Sequence, residues 1–503
     1  MTDFCRNQPK EVVRINPHVV LKRMQGMGSR ELKFRDIFYP ESIAIIGASS
    51  DDLKERSGWT GTLVNFGYKG KLYPVNPKAT TILGLKAYPS LKEIEGQVDY
   101  AILNLATTLV PKALEDCAAK DVKVVHIFTS GFAEVGNEGK RLQEEIRSII
   151  ERTGIRTIGP NCMGVHSPGG GVSFANLPRE EGPAALISQT GAGAARTILY
   201  GNGRGIHFGK AISYGNAVDL DSPDFLEMLA DDSNTKYIAL YIEGVKDGRR
   251  LLTATQKCLK NGKMVVILKA GLTEAGREAA TSHTGALAGS EQGWGAFFAQ
   301  TGAIRVRTLE EIVDQLVALQ CMSRPGGRRV GIIGRGGGPG VIATEICERS
   351  NLKVPPFSGT VRSQLEKITT ASGGSMIRNP VEVGVGRVGA QQGYIEAFKI
   401  LALSQEVDLI LTHLNPEAFI LYGGAPEWLN DSIDVLCQVF KTLPIPVALM
   451  LPSGETPESR EVVQQAWAQC SKAGLAVFRT YESAATAISN LVTCYERRTE
   501  EDH

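Results

Sequence analysis

The sequence predicts an α/β protein made of three consecutive doubly wound parallel-sheet domains. Two observations carry this. From Ser42 onward, short apolar runs recur, each followed by glycine and then by a stretch with apolar residues at helical spacing. The same plan restarts twice, after a Gly/Pro-rich passage near Thr157 and after MSRPGGR. A chain of 503 residues also exceeds what one core holds, since domains of ~100–200 residues give roughly three. Strands alternating with helices imply a parallel sheet covered on both faces, with ligands at the carboxyl ends of its strands.

The expected division is an N-terminal extension over residues 1–37, polar and mildly basic, then domains over 38–165, 180–321 and 327–495. In the first domain the apolar runs lie in SIAIIGASS, KLYPVNP, VDYAILNLATT and VKVVHIFTSGFAE, and PKALEDCAAKD and EGKRLQEEIRSIIERTG carry apolar residues at helical spacing. Gly47, Ala48 and Ser49 follow the first strand, where small residues let backbone amides approach a phosphate. A tight strand-to-helix turn without a ligand accounts for them equally well. Lys78, in YPVNPK, is a point charge within reach of a phosphate or simply a solvated loop lysine. RTIGPNCMGVHSPGGGVSFANLPREEG reads as a linker after a closing strand.

The second domain opens with PAALISQTGAGAARTILY. Ser188, Thr190 and Gly191 stand between a strand and an Ala-rich helix, so free amides and two hydroxyls converge there either on an anion or on an ordinary N-cap. YIALYIEGVKD and KMVVILKAG are two strand candidates, the first ending in Glu243 and the second running into KAGLTEAGREAATSHTGALAGS. That stretch puts His283 in a turn of Ser282, Thr284, Gly285 and Ala286. Imidazole is both a neutral-pH nucleophile and a proton carrier, and a carboxylate beside it fixes its tautomer. Adjacent strand ends would let Glu243 meet His283; a helix start and a surface glutamate are the plainer readings. The third domain has strands in RVGIIG, RNPVEVG, VDLILTHLNP, IPVALMLPSG and LAVFRT, a glycine turn GRGGGPG, and a closing helix from about Glu482.

Composition excludes several classes. Lys plus Arg (55) nearly cancels Asp plus Glu (54), so no global basic field recruits nucleic acid or an acidic membrane. Nine dispersed cysteines, without a Cys-x-x-Cys pair, read as reduced thiols of a cytoplasmic protein. There is no signal-peptide core, no apolar run near the ~18 residues of a membrane span, no G-x-x-x-x-G-K-[ST] loop and no metal-ligand cluster.

Taken in order, SIAIIGASS, YPVNPK, TSGFAEVG, IGPNCMGV, LISQTG, YIEG, SHTGALAG, GGGPG and NPVEVG make the chain resemble, from about Phe38 to Val492, the NDP-forming acyl-CoA synthetases. The resemblance is greatest to the alpha subunit of the ADP-forming acetyl-CoA synthetases, relatives of succinyl-CoA synthetase. It implies a Rossmann-like CoA-binding domain followed by two flavodoxin-like domains. It further implies that His283 carries a phosphoryl group, that Glu243 supports it, and that Ser188, Thr190 and Gly191 hold the phosphate at one helix start and Gly337 and Gly338 at a second. Gly47, Ala48, Ser49, Lys78, Ser130 and Gly131 fall at positions near CoA.

The activity so implied is acyl-CoA plus ADP and phosphate giving a carboxylic acid, CoA and ATP, through an acyl phosphate and phospho-His283. ADP or ATP with Mg is then expected on a separate ATP-grasp beta subunit, in a hetero-oligomer. Two departures stand out: Arg335 where the family commonly has asparagine, and Glu382 where it has aspartate. A CoA-responsive regulatory protein on the same scaffold, or an acyl or carbamoyl transferase working without ATP, are the alternatives.

Overall fold

The computed structural model describes residues 32–49, 58–284, 289–334, 336–368, 377–383, 390–421 and 427–501. Most of the expected extension, and Arg335, lie outside them. Among these residues eighteen strands follow in chain order. In the first block are β1 (Ser42–Ile46), β2 (Lys71–Val75), β3 (Thr81–Ile82), β4 (Leu85–Lys86), β5 (Tyr100–Leu103), β6 (Val124–Ile127) and β7 (Arg156–Ile158). The second holds β8 (Gly164–His166), β9 (Ala184–Ser188), β10 (Phe208–Ser213), β11 (Tyr237–Ile242), β12 (Met264–Lys269) and β13 (Ile304–Val306). In the third are β14 (Val330–Gly334), β15 (Val381–Glu382), β16 (Leu409–His413), β17 (Val447–Met450) and β18 (Ala476–Phe478).

They form sheets in the orders β2-β1-β5-β6-β7, β13-β12-β11-β9-β10-β8 and β15-β14-β16-β17-β18, with β3-β4 a small hairpin. Pairing in the three large sheets is parallel except for β8, which runs antiparallel to β10. The three-sheet α/β architecture expected from the alternation is therefore present. The Gly/Pro-rich passage is more than a linker: it contains β7, which closes the first sheet, and β8, an edge strand of the second. Three-residue strands among glycines and prolines give too little periodicity to be read from sequence.

Each sheet is buried on both faces, as period-2 side chains require. Ile43 and Ile45 enter one apolar core and Ala44 and Ile46 another; Ile332 and Ile333 divide likewise in the third sheet. The first of these cores is continuous through all three blocks, from Ile43 to Ile187 to Ile488. The blocks are also joined by polar ties. Asp219, after β10, accepts from Arg156 Nε at 3.0 Å and from the Thr157 amide at 2.8 Å. Buried Arg204 pairs with Asp314 at 2.8 Å, donates to the Val477 carbonyl of the third block, and lies 4.5 Å from the Trp467 ring centroid. Such a desolvated pair holds position because removing either partner strands a buried charge.

At the end of the extension, helix Phe34–Phe38 buries Ile37 and Phe38 completely and meets β8. Among the described residues no helix is long and apolar enough to cross a membrane, and no cluster of His, Cys, Asp and Glu fits a metal. The cysteines among them are free thiols.

Candidate functional site

The site is built where the carboxyl ends of the first and second sheets face each other. In the first sheet, β1, β5 and β6 are neighbours, so the turns that follow them cluster. Gly47, at φ +90°, turns so tightly that an added Cβ would lie 2.1 Å from the Asn104 carbonyl oxygen after β5. Gly131, at φ +99°, would put one 2.7 Å from Thr107 Oγ1. Only glycine combines these backbone angles with so little room. Thr107 Oγ1 donates to the Ser130 carbonyl at 2.8 Å, and Glu134 Oε1 accepts from the Gly131 amide at 2.7 Å, which fixes the loop after β6.

In the second sheet the order β12-β11-β9 places the ends Lys269, Ile242 and Ser188 side by side. Glu243 follows β11 and is buried, at 4% exposure. Its carboxylate accepts from Tyr241 Oη at 3.2 Å, and its backbone carbonyl from Lys269 Nζ at 2.7 Å. Burial brings the Lys269 ammonium down to about 8, although nearby Glu243 favours its charge. Lys269 Nζ also lies 5.4 Å from the Trp294 ring centroid.

A cleft of about 540 Å3 joins the two sheet ends. Asn104, Thr107 and Ser130 line it from the first block, Asn161 from the connecting passage, and Gln189, Thr190 and Gly191 from the second. Gly191 opens the helix Gly191–Asn202, whose first amides and dipole favour an anion.

Of the residues expected from sequence, Ser130, Thr190 and Gly191 are thus brought to one cleft, and Gly47 and Gly131 abut residues that line it. The two hydroxyls are engaged locally. Ser188 Oγ donates to the Thr190 carbonyl at 2.8 Å, and Thr190 Oγ1 accepts from the Gly193 amide at 3.3 Å as an N-cap. The helix amides, rather than these hydroxyls, are what the turn offers an anion. Ala48 is buried, its carbonyl accepting from Asn76 Nδ2 at 2.7 Å; Ser49 is half-buried beside it, and Lys78 is exposed. Neither Ser49 nor Lys78 lines the cleft.

His283 was expected in a turn; its backbone instead belongs to the last turn of helix Glu274–Thr284. The Ala-rich EAGREAATSH is a good helix former and carries the helix past the histidine. That helix approaches the 3-10 turn Ala133–Val135, which Phe132 separates from Gly131. Gly337 and Gly338 do open a helix, Gly337–Arg349. The amide of Gly336 just before it donates to Glu382 Oε1 at 3.1 Å.

Sequence reasoning overlooked Gln189, Asn104, Thr107 and Asn161. Gln189 was detectable in principle: next to Ser188 at a strand end, its side chain takes the opposite face. The other three are polar loop residues without any spacing that marks them.

The chain matches the family model described as "CoA binding domain" over residues 41–168 and the one described as "Succinyl-CoA ligase like flavodoxin domain" over residues 181–319. This domain pair defines a protein of the NDP-forming acyl-CoA synthetase class, the two halves meeting at the cleft. Acetate–CoA ligase [ADP-forming] II subunit alpha of Pyrococcus furiosus is 34% identical over 467 residues, which are 90% of this chain and 96% of that one. The chain belongs to the ADP-forming acetate–CoA ligase family. Acetate–CoA ligase [ADP-forming] I of Archaeoglobus fulgidus is 37% identical over 80% of this chain, and the chain spans 58% of its length. The fold matches the dinucleotide-forming acetyl-coenzyme A synthetase 1 of Ca. Korarchaeum cryptofilum, solved with phosphate and ADP, at a TM-score of 0.78 and 28% identity, covering 92% of this chain and 97% of that one.

Proposed function

We propose that this chain is the CoA-binding, phosphohistidine-forming subunit of an ADP-forming acid:CoA ligase. One observation carries the reading: the cleft sets the strand ends of a CoA-binding domain against the start of the Gly191 helix, with Glu243 buried just past the adjacent strand. In the first step phosphate attacks the thioester carbonyl of an acyl-CoA, the C–S bond breaks, and CoA leaves as the acyl phosphate forms. His283 then takes the phosphoryl group from the acyl phosphate and releases the carboxylate. Finally ADP accepts the group from phospho-His283 and becomes ATP. Every step is reversible, so the same residues activate an acid at the expense of ATP.

The chain's own contribution is placement and charge. A phosphoryl group in transfer carries negative charge, and helix amides that need no reorganisation stabilise it more than mobile donors do. Covalent storage on the histidine divides one transfer into two. In this reading Glu243, just past the strand beside the Gly191 turn, holds the imidazole in its productive tautomer and stabilises its cation. ADP and Mg belong in this reading to an ATP-grasp beta subunit, and the name of the Pyrococcus relative, a subunit alpha covered over 96% of its length, supports a two-chain enzyme. Gly337 and Gly338 supply the second helix start for the phosphoryl group, and Lys78, Ser49 and Ala48 the edge of the CoA site. A cytoplasmic location fits the free thiols.

The test is to incubate the chain and its ATP-grasp partner with γ-labelled ATP and magnesium and to map acid-labile, base-stable label. Label on His283 that disappears entirely in His283→Ala is expected. CoA binding without any labelling would instead favour the regulatory alternative, and acyl transfer independent of phosphate the transferase.

A further inference from the structure

Gln189 stands between two residues already expected to handle phosphate, yet its side chain does something neither of them does. It is 97% buried, having 3% of its surface exposed, and its two ends meet different surroundings. The carbonyl end, Oε1, accepts from the backbone amides of Glu243 and Gly244, the latter at 2.9 Å. Because both partners are N–H donors, the atom facing them is an acceptor, and the orientation of the side-chain amide is fixed. The backbone amide of Gln189 donates in turn to the Tyr241 carbonyl at 3.1 Å. The residue is therefore clamped to the end of β11 at both its main chain and its side chain.

The other end, Nε2, makes no hydrogen bond among the described residues, and Gln189 lines the cleft next to Thr190 and Gly191. Its two N–H groups, without an acceptor among the described residues, are left for a ligand or water in the cleft to satisfy. The adjoining start of the Gly191 helix selects an anion for that role. Ser188 and Thr190, by contrast, spend their hydroxyls on the turn itself.

We propose that Gln189 Nε2 donates to an oxygen of the phosphoryl group in the cleft while Oε1 sets the position of Glu243, so that one side chain couples the anion site to the carboxylate. This rests on the reading above and adds a residue that contacts the transferring group. Preorganisation is the advantage: the donor is held by two backbone amides before the anion arrives.

Gln189→Glu separates the two roles. The carboxylate retains an acceptor for the amides of Glu243 and Gly244 but turns an oxygen instead of an N–H2 toward the anion. The assay is steady-state turnover of the two-chain enzyme, varying inorganic phosphate and CoA separately, with inorganic phosphate binding to the full chain followed by 31P NMR. A rise of at least ~10-fold in KM for phosphate is expected, with KM for CoA and the thermal midpoint kept close to the parent. A residue acting only through Glu243 would lower kcat and leave phosphate affinity alone, so that pattern, or a phosphate KM equal to the parent's, overturns the proposal. Gln189→Asn, one methylene shorter, is the check against misfolding: it keeps both amide functions and should restore part of the phosphate affinity relative to the glutamate variant. If the unsubstituted complex forms no phosphohistidine, it is the functional reading that fails, an outcome independent of any Gln189 variant.

Discussion

The helix starts at Gly191 and Gly337 come from the same sequence plan: a buried strand, a two-residue connection, and a helix that opens on glycine, Gly191–Asn202 and Gly337–Arg349. Their surroundings differ. At Gly191 the turn faces another sheet, and Asn104, Thr107, Ser130 and Asn161 arrive from elsewhere in the chain to complete a cleft. At Gly337 the amide that precedes the helix already has an acceptor, Glu382 Oε1, from the adjacent strand β15. The Gly191 turn offers its amides to something outside itself, while the Gly337 turn is partly satisfied from within its own sheet. A glycine turn becomes a site when its neighbours leave donors open and set other groups opposite them.

Perturbing the two regions should sharpen this contrast. The largest effect is expected from Glu243→Gln, which removes the buried carboxylate next to the Gly191 turn but preserves its shape. Phosphoryl transfer to His283, followed by rapid quench, should slow by about 100-fold, with an unchanged circular dichroism spectrum; a rate equal to the parent's would detach Glu243 from the site.

Acid should weaken the cleft side next. His126 in β6, whose Nε2 lies 3.1 Å from the Cys162 carbonyl, and His166 in β8 are both brought by burial down to about 4. An unfolded histidine titrates near ~6.5. Between these values the unfolded chain binds more protons than the folded one. Stability is therefore complete above the unfolded value, falls as pH drops through the interval, and levels off below the folded value. Urea midpoints measured at neutral pH and at several points through that interval should show the loss, and His126→Gln should reduce its slope. An equal slope in the variant would remove His126 from the account.

The smallest effects form a matched pair. Thr190→Ala takes away the N-cap that accepts from Gly193 and should cost about 1 kcal/mol. Gly338→Ala adds a methyl where no atom lies within 4 Å and φ is not positive, so chemical denaturation should place it within ~0.5 kcal/mol of the parent. A Gly338→Ala variant that lost as much as Thr190→Ala would contradict the difference drawn between the two turns.

Much of the fold was legible because its strands are continuous apolar runs ended by glycine. SIAII, YIALYI, MVVILK and VALM are each buried on both faces, and a stretch with no polar side cannot be anything but central. β8 was hidden because three residues flanked by glycine and proline carry no period, and its place is set by pairing with β10, more than forty residues away in the chain. His283 itself was misplaced for a related reason: Ser, Thr and Gly around it signal a turn locally, while the alanine-rich run before it carries a helix as far as Thr284.

The sequence by itself determined the three-sheet plan, the strand ends at which Ser188, Glu243 and Lys269 stand, and the family, because these follow from local hydrophobic period and ordered motifs. Only the tertiary structure decided that the first and second sheets share a cleft, that Ser188 and Thr190 spend their hydroxyls on their own turn, and that Gln189, in the cleft wall, accepts from the amides of Glu243 and Gly244. The physical reason is that hydrogen-bond satisfaction in a buried site is settled between segments far apart in the chain: Gln189 meets Glu243 across more than fifty residues, and no pattern within one segment records which donors the rest of the molecule leaves open.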